Sequence, residues 1–120
     1  MEETSGTLSL IIIFDGLFFL GLSYYYLKCP PKKVNEIYGY RTRKSMSNQD
    51  IWDIANKRNA EDLVKYSWVL LVTGVLLWIF QISYAMIIHL AIMLVGLAVA
   101  MFSTIRYLNE HFDANGNKKK

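Results

Sequence analysis

Charged side chains fall along this chain in blocks. Tyr66 through Ile105 is a run of 40 residues without an Asp, Glu, Lys or Arg, and Leu8 through Leu27 is a run of 20 with one, Asp15. A bilayer core about 30 Å thick takes about 20 helical residues at about 1.5 Å each. The first run meets that length once. The second would make a helix about 60 Å long, twice the core, so it predicts a hairpin of two helices. Gln81, Ser83 and Tyr84 are the most polar group near its middle and mark the turn, although neither Gly nor Pro reinforces it. The pattern predicts an all-α polytopic membrane protein with spans at about 7–27, 65–82 and 85–106, a loop at 28–64 and a tail at 107–120, forming a single membrane domain over 1–120.

The loop has its own pattern. Pro30-Pro31 ends the first helix, because proline lacks the amide donor and pushes the preceding residue out of the α region. Ser47-Asn48-Gln49-Asp50 reads as a helix start, with Ser47 as the cap and Asp50 placed to reach back to it. Ile51, Ile54, Ala55, Leu63 and Val64 then form a partial apolar stripe. It predicts an amphipathic helix lying on the leaflet between the first and second spans and bending into the second.

Composition narrows the function. Charged residues make up 19% of the 120 residues, against about 25% in an average soluble domain. An interior this small cannot hide such apolar runs, which excludes an ordinary soluble enzyme. The basic residues are asymmetric: Lys and Arg are absent before Lys28 and from the hairpin turn, and concentrated between Lys28 and Lys65 and in the tail. That bias predicts an N-terminus outside the cell and a C-terminus in the cytoplasm. The first run lacks the basic start and small-residue cleavage site of a signal peptide, and is expected to stay in the membrane. The net charge of +3 is read as topology and attraction of the loop to anionic lipid, not as binding of nucleic acid. Cys29 is a lone cysteine and, with His89 and His111, makes no metal-ligand spacing, so neither a metal nor a cofactor is expected.

Ionisable groups within the apolar runs usually face a bundle interior. Asp15 and His89 fall at similar depth in the two parallel spans, and Gln81 stands at the outer end of the middle one. Asp15 is expected to pair with His89 or Gln81, either as a structural hydrogen bond or as part of an ion or proton relay or a peptide-binding groove. Small and polar residues, Ser67, Gly74 and Gln81 on one helix and Ala85, His89, Gly96, Ala100 and Ser103 on another, form stripes along which helices can approach.

In the loop, Asn35, Tyr38, Gly39, Arg41, Thr42, Ser45 and Met46, followed by Trp52 and Asn56, form a pattern that resembles the motif of the SdpI family of bacterial membrane proteins. The sequence departs from that motif at Arg43, where the family usually carries Pro, and at Ser47, where it often carries Lys. The family is named for an immunity protein against a secreted toxin peptide. The resemblance implies a location in the bacterial cytoplasmic (inner) membrane and protection against a membrane-active peptide by binding it. The alternative is an accessory or structural subunit of a larger membrane complex. On the residues themselves, Arg41 offers a planar fork suited to carboxylate or phosphate, and Thr42 and Ser45 can close local hydrogen bonds. The motif therefore reads as a fold-holding loop or a partner-binding site. No nucleophile–base pair is readable, so an enzyme is not expected.

Overall fold

A computed structural model of the chain describes residues 2–34, 39–113 and 117–118, with side chains from Gly6 onward. Asn35 and Tyr38 lie outside the described residues. The described residues form three helices, α1 (Glu2–Lys28), α2 (Gln49–Ile79) and α3 (Ala85–His111). Each is long and apolar enough to cross a membrane. The chain is an all-helical, multi-pass membrane protein, and the molecule measures 57 × 24 × 19 Å.

The long middle helix organises the rest. α1 and α3 both pack along α2 and barely touch each other. Ile12 meets Gly74, and Ser23 meets Ser67 at 2.7 Å, which sets an antiparallel register between α1 and α2. A Cβ at Gly74 would stand 2.9 Å from Ile12 Cγ2, so the glycine is what lets the two helices approach there. Gly96 against Tyr66 sets the antiparallel register of α3 on α2.

The interfacial helix expected before the second span is absent as a separate element. α2 runs unbroken from Gln49 to Ile79, 31 residues or about 46 Å. Its apolar stripe has another use. Ile51 and Ala55 are buried in a cluster with Tyr40 of the loop and Leu108 and Phe112 of the α3 end, with Ile105 and Tyr107 packed alongside. Protein covers Ile51 and Ala55, while Ile54 stays exposed and Leu63 and Val64 are half-buried. Because no proline or glycine falls between Gln49 and Thr73, nothing breaks the helix where it meets the apolar run.

The helix also begins one residue later than expected. Asn48 is the cap: its backbone is extended and its side chain accepts from Ile51 N at 2.9 Å. Ser47 instead donates its hydroxyl to Lys44 O at 2.6 Å. Phe80 to Tyr84 turns the chain between α2 and α3, with Gln81 and Tyr84 in the left-handed region at φ 48° and 61°.

Candidate functional site

The described part of the motif gathers around one side chain. Asn56 sits on α2 two turns from its start and is 1% exposed. Its carbonyl oxygen accepts from Tyr40 N at 2.6 Å and from the Tyr26 hydroxyl at 2.5 Å, and its amide donates to Trp52 O at 2.8 Å. One buried amide thus joins α1, the loop and α2. Trp52 lies one turn earlier, fully buried, and donates its indole N–H to Pro31 O at 2.8 Å. That bond fixes the chain as it leaves α1.

Gly39 lets the loop cross this pair. Its φ is +107°, a conformation that side chains rarely adopt. A Cβ there would stand 2.5 Å from Asn56 Oδ1 and 2.6 Å from Pro31 Cγ. Beyond it, Thr42 and Ser45 bond reciprocally: Thr42 N donates to Ser45 Oγ at 2.7 Å, and Ser45 N donates to Thr42 Oγ1 at 3.1 Å. Ser45 is fully buried and its hydroxyl donates back to Tyr40 O at 2.9 Å. Met46 is half-buried and its amide closes a turn onto Thr42 O at 3.0 Å. These bonds satisfy the backbone of a segment that has neither helix nor strand to do it.

Tyr40 completes the loop's attachment. Its ring is in the buried cluster and its hydroxyl donates to Met101 O of α3 at 3.2 Å. Burial pushes its phenol up to about 12, with the neighbouring Tyr26 hydroxyl adding to the rise.

The three basic residues of the motif part company. Lys44 reaches α3, donating from Nζ to Asn109 Oδ1 at 3.0 Å and to Phe112 O at 2.9 Å, where it meets the free carbonyls of the helix end. Its charge is committed to the fold, so it is no equivalent of Arg43. Arg41 and Arg43 are exposed. Arg41 has no hydrogen bond or ion pair among the described residues, and it extends from a segment whose backbone is pinned on both sides.

The second group lies near the other end. His89 Nε2 and Asp15 Oδ2 are 2.7 Å apart, linking α3 to α1. His89 is 1% exposed and Asp15 32%, and His89 Nδ1 has no hydrogen-bond partner among the described residues. Gln81 does not join them: it is exposed in the turn, where its positive φ aims the chain into the hairpin. Tyr26, Pro31 and Tyr40 were not among the residues expected to build the site. Tyr40 carried a signal, because an aromatic directly after the motif's glycine must land wherever that glycine crosses. Tyr26 carries no signal beyond its place at the end of the first apolar run, and Pro31 reads only as a helix stop.

A motif folded on a buried Asn–Trp pair at the start of a membrane helix is specific enough to compare. Residues 32–107 match the SdpI/YfhL protein family. The chain belongs to that family. Over 48 residues it is 46% identical to the uncharacterized protein YfhL of Bacillus subtilis (strain 168), a match that covers 40% of this chain and 44% of YfhL. The aligned part is thus less than half of that relative. No solved structure matches the chain. The family match contains Gly39, Arg41, Thr42, Ser45, Met46, Trp52 and Asn56, as well as Asn35 and Tyr38, whereas Asp15 precedes it.

Proposed function

We propose that this SdpI/YfhL-family chain protects its cell against a membrane-active peptide, by binding the peptide or its effector from the cytoplasmic membrane. The basic loop supports a cytoplasmic position for the motif and an N-terminus outside. One observation carries the reading. Most of the described motif is spent on holding the loop, yet Arg41 keeps its guanidinium free on a backbone fixed by Asn56 and by the Thr42–Ser45 bonds. A pre-set fork without a partner among the described residues suits a carboxylate or phosphate supplied by something else. The role is recognition and not catalysis.

Deletion of the gene, followed by exposure to secreted peptides from related strains, tests this. The deletion strain should be sensitised and the wild-type chain should restore resistance. Arg41→Lys should fail to restore it at normal folded yield, because an ammonium cannot reproduce the fork, whereas Arg43→Lys should restore it fully. Unchanged sensitivity on deletion would sink the protective role. A stoichiometric large partner in mild detergent would support the accessory-subunit reading in its place.

A further inference from the structure

At the loop end, the seam between α2 and α3 opens into a cavity of about 540 Å³. It is separate from both groups described above. Val99 and Phe102 on its wall belong to the charge-free run, and Arg106 is the first charged residue after that run. The cavity therefore straddles the depth at which acyl chains give way to headgroups. The antiparallel register brings Arg58 of α2 to the same level, beside Ser103 and Tyr107.

Arg58 is held but not satisfied. Its guanidinium carbon lies 4.4 Å from the centre of the Tyr107 ring, and Nη2 reaches Ser103 Oγ at 3.4 Å. Its Nε is buried with no hydrogen-bond partner among the described residues. Arg106 donates from Nε to Glu110 Oε1 at 3.0 Å and is otherwise 83% exposed, leaving its terminal N–H groups available. Two guanidinium groups at one cleft suit an oxyanion. One carboxylate shares the lining with them, Glu110 on the rim. Charges of both signs thus line the cleft, so a bare anion meets the carboxylate as well as the guanidinium groups, whereas a headgroup carrying both signs is matched by both.

We propose that this cleft binds a zwitterionic aminophospholipid. Its phosphate lies on Arg58 and Arg106, its primary ammonium faces Glu110, and an acyl chain runs along Val99 and Phe102.

Native mass spectrometry of the full chain, released from detergent with equimolar phosphatidylethanolamine, phosphatidylglycerol and phosphatidylcholine, tests this. Phosphatidylethanolamine should be retained over both others. Arg58→Gln should lower its retention about tenfold, the size of one hydrogen bond to a charged group. Glu110→Gln, on the exposed rim where folding is not at stake, should erase the preference over phosphatidylcholine, whose ammonium cannot donate. Glycerophosphoethanolamine, which lacks acyl chains, should not displace the lipid at matched concentration. Preference for phosphatidylglycerol, full retention by Arg58→Gln or an unchanged ratio in Glu110→Gln would each overturn the proposal. Displacement by the soluble headgroup would overturn it too, by making the cleft a site for free phosphoesters.

Discussion

At the loop end, Tyr40, Ile51, Ala55, Leu108 and Phe112 close a buried apolar cluster, and beside it Asn56, Trp52 and Ser45 have their polar atoms bonded. At the hairpin end, Phe80 to Tyr84 is exposed throughout and two of its residues sit at positive φ. Between the ends, in the most apolar windows of α1, α2 and α3, only 17%, 22% and 11% of residues are buried within the protein. Water and lipid explain the difference. Where the chain meets water, burial of apolar surface drives a compact cluster. Where it meets lipid, tails are as apolar as leucine, so helices are held by close approach at Gly74 and by polar links such as Ser23–Ser67 and Asp15–His89. The protein is thus a water-built clamp on one end of a lipid-solvated bundle.

The comparison is most exposed at Gly39. Gly39→Ala places a methyl against Asn56 Oδ1 and Pro31 Cγ at a positive φ. It should cost about 2–5 kcal/mol and sharply reduce monodisperse yield in detergent, with thermal unfolding as the readout. A loss smaller than that of the next variant would show that the loop end is not the anchor.

Asp15→Leu removes the partner of His89 within the bundle. About 1–2 kcal/mol should be lost, and less with Asp15→Asn, which keeps an acceptor. Comparison of the two melting temperatures checks this; no loss with Asp15→Leu would mean that the carboxylate is solvated and the pair is incidental.

The hairpin end should respond least, and in the opposite direction. Gln81→Gly relieves a left-handed conformation and should stabilise by about 0.5–1 kcal/mol. Destabilisation in the same melting assay would show that the glutamine side chain holds the turn.

The spans were legible because charge is excluded from them over lengths that lipid thickness dictates, and the Asp15–His89 pair because two parallel helices put those positions at one depth. The expected interfacial helix failed for a physical reason. Ile51 and Ala55 give the same periodicity whether lipid or protein covers them, and the protein that covers them includes Leu108 and Phe112, from the far end of the chain. Gln81 failed similarly: its polarity marked the turn correctly, but a residue at φ 48° in an exposed turn does not point back toward Asp15. Within the motif, the local hydrogen bonds of Thr42 and Ser45 were legible from the residue types. That Arg41 and Arg43 stay exposed while Lys44 is held was beyond the sequence, because Lys44 is claimed by carbonyls that only the tertiary fold delivers.

That dependence on the far end of the chain has a consequence for biosynthesis. A chain emerges N-terminus first, so α1, the motif loop and the start of α2 are made well before Leu108 and Phe112 exist. Until they arrive, Tyr40, Ile51 and Ala55 lack the cover that buries them, and Lys44 lacks the carbonyl it holds. The motif is therefore finished last although it is written early, and a nascent chain halted in the hairpin would carry the residues of the Asn56 network without the cover of Leu108 and Phe112.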